Sequence, residues 1–257
     1  MDKLELNPHS KIKNIIAVMS GKGGVGKSSV TALLAASLAR EGYQVGIMDA
    51  DITGPSIPKI FGIHEGLTTK DDEIFPPLTK SGIKVVSVNL LLANEDDPVI
   101  WRAPILNNTV QQFFKDITWG ELDFLVIDMP PGTGDVAITV LGMLPLTGIV
   151  MVSSPQELAQ MVVRKALKMS EKMGTPILGL IENMSYAVCP HCGEKYEIFG
   201  PSNGQALADD FQINFLGALP IDPVLAKLAD AGQIEDYPGL NQINLGKVIA
   251  TILQTNN

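Results

Sequence analysis

Seven short runs of apolar, largely β-branched residues punctuate the chain: Ile15–Ser20, Val45–Asp49, Lys84–Val88, Phe124–Asp128, Gly148–Ser153, Ile177–Asn183 and Phe215–Leu219. None alternates cleanly between polar and apolar. Each therefore predicts a strand covered on both faces, as in a parallel sheet sandwiched between helices. Helical patterns separate them. One runs from a glycine-rich loop to Arg40. Between Pro155 and Met173, Leu158, Met161, Val162, Ala166, Met169 and Met173 share helical spacing and predict one buried face with methionines filling the core. Leu245, Val248, Ile249, Ile252 and Leu253 predict a C-terminal helix with a single apolar stripe.

Strand and helix in alternation predict a doubly wound α/β fold with a mostly parallel sheet. No linker and no internal repeat is visible, so residues 1–257 read as a single domain with an N-terminal extension, 1–12. Two segments look inserted: His64–Gly82, rich in charge and proline, and Met184–Gly200, which carries both cysteines.

Composition narrows the function. Charged residues make up 18% of the chain and hydrophobic ones 46%, which suits a large core and not a disordered chain. The net charge of −9 argues against a nucleic-acid surface, which needs clustered Lys and Arg. The start, Met1–Lys13, is polar and mixed in charge and does not read as a secretory signal. Val136–Gln156 is uncharged, but Gly142, Pro145, Gly148 and Pro155 break it into helix, turn and strand. The C-terminal helix has Lys247 as its one basic residue and lacks the cationic face of a membrane-binding helix. The expectation is a cytoplasmic protein with neither nucleic acid nor membrane as partner.

Gly21-Lys22-Gly23-Gly24-Val25-Gly26-Lys27-Ser28 fits G-x-x-x-x-G-K-[ST] between a strand and a helix, the context a phosphate loop requires. Glycines let backbone N–H groups converge on phosphate oxygens, and the helix N-terminus adds partial positive charge. Gly21 to Ser28, with the adjoining Ser29, are thus the expected nucleotide contacts. Lys27 is expected to reach the β- and γ-phosphates, and Ser28 to ligate Mg²⁺.

Phosphoryl transfer also needs carboxylates that hold metal and orient water. Asp49 and Asp51 follow the second strand, and Asp128 ends the fourth. These are carboxyl ends of parallel strands, where such folds bind ligands. Asp128 is expected to hold Mg²⁺ through water, Asp49 to support it, and Asp51 to orient the attacking water. Asp135 fits a helix start, as cap or catalyst.

Cys189 and Cys192, in Cys189-Pro190-His191-Cys192-Gly193, are the only cysteines. The turn aims two thiolates at one centre, but a tetrahedral site takes four ligands. A symmetric dimer supplies two from each chain. Zinc and an iron–sulfur cluster both suit the spacing, which does not separate them. A redox pair would belong at a helix start after the first strand.

The string from Lys22 to Ser28 resembles the deviant phosphate loop of the ParA, MinD and nitrogenase-iron-protein superfamily. That resemblance implies a homodimer in which Lys22 crosses to the partner's nucleotide and stabilises transition-state charge. It also implies that Glu182-Asn183-Met184 and Leu219-Pro220-Ile221-Asp222 hold adenine, through Asn183, Pro220 and Asp222, although a turn role suits Pro220 and Asp222 nearly as well.

Three longer strings, Trp119–Asp135, Ile181–Tyr186 and Cys189–Gly200, resemble the Mrp/ApbC family over nearly the whole chain from Lys11. The resemblance implies an ATPase that carries a cluster, usually [4Fe–4S], to apo iron–sulfur proteins. The competing expectation is a MinD- or ParA-like positioning ATPase with a structural zinc at the cysteines. A nitrogenase-type reductase is a weaker fit, because its cluster cysteines lie far apart in sequence.

Overall fold

The computed structural model describes residues 3–52, 54–92 and 103–255; the side chains of 103, 157–160, 162 and 255 lie outside that description. In chain order the elements are β1 (Lys11–Ser20), α1 (Lys27–Arg40), β2 (Val45–Asp49), α2 (Ile57–Phe61), β3 (Thr68–Lys70), β4 (Glu73–Phe75) and β5 (Lys84–Val86). Then come α3 (Ala103–Lys115), β6 (Glu121–Asp128), α4 (Asp135–Met143), β7 (Gly148–Ser153), α5 (Glu157–Lys172) and β8 (Ile177–Val188). The last are β9 (Lys195–Tyr196), α6 (Gly204–Asp210), β10 (Phe215–Pro220), α7 (Pro223–Asp230) and α8 (Leu245–Thr255).

Seven strands form a parallel sheet in the order β10-β8-β7-β1-β6-β2-β5. All seven expected strands are in it. The pleat sends alternate residues of β1 to opposite faces. Ile16 and Val18 join the core under α1, α2 and α8, while Ile15, Ala17 and Met19 join the core under α3, α4, α5 and α6. Both faces are therefore covered, which explains why β1 reads as continuously apolar. α1 buries ten of its fourteen residues, so its sequence shows an apolar run and not a stripe.

Several boundaries differ from expectation. β1 begins at Lys11, four residues early, because Lys11–Asn14 pair with Glu121–Phe124 at the sheet's end. Ahead of it, Leu4 and Leu6 pack on the core and Lys3 donates to the carbonyls of Leu141 and Leu144 at the end of α4. β5 stops at Val86, and Val88 opens a 3₁₀ turn. The inserted segment 64–82 holds the β3–β4 hairpin. The buried face of α5 centres on Val163, Ala166, Leu167 and Ser170; of the methionines, Met169 packs partly buried against that core, whereas Met161 is 50% and Met173 37% exposed. Leu158 and Val162 lie outside the described side chains. In α8, Val248 and Ile252 are buried and Leu253 faces outward.

One difference bears on the site. The strand expected to stop at Asn183 continues through Met184 to Val188, directly before Cys189. Parallel pairing with β10 and the short antiparallel β9 carries it that far. The inserted segment therefore begins as sheet.

Candidate functional site

The loop 21–26 leaves the C-terminal end of the central strand β1 and enters α1 at Lys27. Gly26 caps that helix at φ 77°, a left-handed conformation that a side chain resists. A Cβ there would also overlap the Asn183 amide. The loop borders a cleft of about 470 Å³ whose lining includes Lys22, Lys27, Ser28 and Ser29 from the loop and helix. Asp51 and Lys59 line the cleft from beyond β2, and Asp230 from the end of α7. A cavity of about 560 Å³ lies at the other end of α1, beside Arg40, Glu41 and Leu240. It is slightly larger but has no phosphate loop, so the chemistry points to the smaller cleft.

Four expected residues converge at the loop's end. Lys27 Nζ lies 2.8 Å from Asp128 Oδ1 and 3.6 Å from Asp51 Oδ2. Ser28 Oγ donates to Asp128 Oδ2 at 2.6 Å. Thr31, one turn along α1, donates to Asp128 Oδ1 at 2.7 Å. Asp128 is fully buried, and these donors and the ammonium replace the water it has lost. Thr31 was not foreseen; its spacing from Lys27, one helical turn, is the available signal.

Asp49 sits on the adjacent strand, paired in register with Asp128. Its carboxylate accepts from Asp51 N (3.1 Å), Ile57 N (3.4 Å) and Ser87 Oγ (3.1 Å). It thereby shapes the segment that presents Asp51 to the cleft. Burial pushes its carboxyl well above the ordinary range, the Asp128 charge adds to that, and Lys27 opposes it. The Ser28 hydroxyl and the Asp128 carboxylate, 2.6 Å apart, are hard-oxygen donors, and such a pair fits Mg²⁺, which keeps waters and substrate phosphate in its other positions.

Lys22 points elsewhere. Its Nζ donates to Gln156 Oε1 at 2.8 Å, at the loop after β7. Asn183 is buried and donates to the Val25 carbonyl at 2.9 Å, so it braces the phosphate loop from behind. Asp222 caps α7, accepting from Val224 N, and also accepts from the Tyr237 hydroxyl. Asn183, Pro220 and Asp222 are not among the residues lining the cleft. Asp135 is the first residue of α4, with Gly134 as its cap.

The cleft's far wall escaped sequence reading. α2 and α7 meet where Gly62 and Gly232 pack backbone to backbone, both at left-handed φ, and a Cβ on either would strike the other chain segment. That close crossing brings Lys59 and Asp230 to the cleft.

The cysteines occupy a separate, exposed region beyond β8. The turn is closed by Gly193 N donating to the Cys189 carbonyl and Cys189 N to the Glu194 carbonyl. Backbone N–H groups of Cys192 and His191 aim at the Cys189 sulfur and, with the Cys192 side chain, lower its thiol pKa. Both thiols are free. Among the described residues, no group of three or more His, Cys, Asp or Glu side chains could hold a metal ion. Val188, Tyr196, Ile198 and Phe199 stand exposed around the pair.

The fold and the loop together define a P-loop NTPase of the MinD and ParA type. The Pyrococcus furiosus cell division ATPase MinD shares the fold, at a TM-score of 0.67 and 20% identity over 95% of this chain and 100% of that one. Residues 11–254 match the family described as ParA, the NUBPL iron-transfer P-loop NTPases, and the chain belongs to that family. An iron–sulfur cluster carrier protein from Clostridium perfringens is 45% identical over 91% of this chain and 85% of its own length. A cytosolic Fe-S cluster assembly factor, CFD1, from Chaetomium globosum is 43% identical over 95% and 86%. A nucleotide-binding protein from Archaeoglobus fulgidus, solved in complex with ADP, superposes at a TM-score of 0.81 with 45% identity, covering 90% of this chain and 91% of that one. Among the described residues, no helix is long and apolar enough to cross a membrane.

Proposed function

We propose that this chain is an ATP-hydrolysing iron–sulfur cluster carrier, in which two chains together hold a [4Fe–4S] cluster through Cys189 and Cys192 of each and pass it to apo-proteins. The observation that carries the reading is the cysteine turn itself. It offers two free sulfurs, Cys189 half-buried with backbone donors aimed at it and Cys192 exposed, with no third ligand in reach among the described residues. Two ligands are half of a tetrahedral set. The exposed Val188, Tyr196, Ile198 and Phe199 give a second chain apolar surface to cover. The relatives named as cluster carriers and assembly factors support the same cargo.

ATP binds with its phosphates on the amides of 21–28. Lys27 swings from Asp128 toward the phosphates, which releases the Asp128 carboxylate. Ser28 and Asp128 would hold Mg²⁺, with Asp49 supporting the site, and the ion would supply charge neutralisation at the phosphates. Asp51 orients the attacking water. Lys22 leaves Gln156 and reaches the partner chain's nucleotide, adding positive charge where the transition state is negative. The site's location is cytoplasmic in this reading, with homodimer and apo-protein as partners. α8 is packed by Val248 and Ile252 and has no cationic face, which weighs against a MinD-like positioning role with structural zinc at the cysteines.

Anaerobic reconstitution with iron and sulfide tests the proposal. Visible absorption and metal analysis should give about one cluster per two chains, the ratio that a four-ligand site shared by symmetry requires. Cys189→Ala or Cys192→Ala should abolish it. Colourless protein that keeps stoichiometric zinc sinks the carrier reading in favour of the positioning ATPase.

A further inference from the structure

Between the phosphate loop and the cysteines lies a four-residue irregularity, Glu182–Ser185, whose contacts run in both directions. Glu182 pairs with Ala218 of β10, but the next pairing joins Tyr186 to Pro220. Four steps along β8 therefore face two along β10. A bulge of this kind re-aims side chains that a regular strand would send elsewhere. Met184 adopts φ 59° there, a left-handed conformation without glycine.

On the nucleotide side, the bulge turns Asn183 under the loop, where its amide holds the Val25 carbonyl at 2.9 Å. Gly26 packs so closely on Asn183 and Met184 that a Cβ would overlap the amide. On the cysteine side, the fully buried Glu182 accepts from Ser185 Oγ at 2.6 Å and from Asn203 N at 3.1 Å. Asn203 caps α6, where the cysteine segment returns to the body of the protein. The outgoing strand leaves from the same place: β8 continues through Tyr186, whose carbonyl accepts from Ile221 N, to Val188 and Cys189. Both ends of the segment carrying the cysteines are thus fastened beside the residue that holds the phosphate loop.

We propose that Glu182–Ser185 couples the nucleotide site to the cysteine pair, with Asn183 sensing the position of the Val25 carbonyl and Glu182 setting the segment from Tyr186 to Asn203. Phosphates draw the amides of 21–28 toward the cleft, and the peptide between Val25 and Gly26 turns with them. Asn183 follows its acceptor. Glu182, the neighbouring residue, then shifts against Asn203. By reciprocity, whatever binds the cysteines changes nucleotide affinity by the same factor. The inference rests on the reading that the cysteines hold cargo, but its test needs no metal.

The experiment measures alkylation rates of Cys189 and Cys192 by iodoacetamide in reduced, metal-free protein, without nucleotide, with ADP and with a non-hydrolysable ATP analogue. Nucleotide should change the rates by about fivefold. The ratio should be the same at low and high protein concentration, which separates coupling within a chain from shielding by a second chain. Glu182→Ala should bring the ratio close to one while ADP still binds, and Glu182→Gln, which keeps an acceptor for Asn203 N, should restore it. A ratio of one in the wild type, or a full ratio in Glu182→Ala, overturns the proposal. Hydrogen exchange on the wild type adds an arm that needs no variant: ADP should alter protection of amides 186–203, and protection confined to 21–28 overturns it. Failed reconstitution with iron and sulfide removes the cargo but leaves these rates as they are, so the two failures are distinct.

Discussion

The phosphate loop and the cysteine turn are both short segments at strand ends, and they are built on opposite plans. Around the loop, polar groups are buried and given hydrogen-bond partners: Lys27 with Asp128 and Asp51, Ser28 and Thr31 with Asp128, Ser87 and two amides with Asp49. Around the cysteines, both sulfurs are free and the neighbouring apolar side chains face solvent. The first region is finished within one chain, and its groups need only exchange partners when nucleotide arrives. The second is organised but incomplete, and what completes it comes from outside. Preorganisation suits chemistry on a bound phosphate, whereas an open pair suits something that must be taken up and released.

Substitutions should expose that contrast. The largest effect is expected at Asp128→Ala, which strands the buried Lys27 and the Ser28 and Thr31 hydroxyls. Loss of one partner from a buried pair costs about 3–5 kcal/mol, read by denaturant unfolding, and phosphate release should cease. Lys22→Ala should slow turnover about a thousandfold, on the scale of an arginine finger, while ADP affinity measured by calorimetry stays near wild type. Unchanged turnover removes the role proposed for Lys22 across the dimer. Gly26→Ala should cost about 1–3 kcal/mol through its left-handed φ and its contact with Asn183, and should weaken ADP binding. The smallest effect on stability is expected at Cys189→Ala, about 0.5 kcal/mol or less, because the residue lies on the surface; its uptake of iron should vanish all the same. Equal losses of stability at Asp128 and Cys189 would erase the distinction between the regions.

The strands were legible because burial on both faces leaves continuous apolar runs, and the loop because its glycines, lysines and serine are contiguous. Asp49, Asp51 and Asp128 were legible by position, at strand ends next to the loop. What stayed hidden depends on partners distant in the chain. Ser87 reaches Asp49 only because β5 lies beside β2. Lys59 and Asp230 meet at the cleft only because Gly62 and Gly232 let α2 and α7 touch. The extension of β8 to Val188 rests on pairing with β9 and β10, and no local pattern announces it. Met161 and Met173 misled because helical spacing defines a face but not its centre; Val163, Ala166 and Leu167 set it, a fraction of a turn away.

The central position of β1 has a consequence for how the molecule comes into being. One neighbour, β6, ends at Asp128, and the other, β7, at Ser153. A chain emerging from the ribosome therefore makes its innermost strand first and the two strands that flank it only after β2 to β5. Everything from β1 to Ser153 must be synthesised before the segment bearing the phosphate loop has support on both sides. Pairings this remote in sequence form slowly and leave apolar edges uncovered meanwhile. ADP or ATP added to a nascent chain should then find nothing to bind until Ser153 is clear of the exit tunnel, and nucleotide binding would mark the moment at which β1 has gained both its neighbours, with β8 and β10 still to be added.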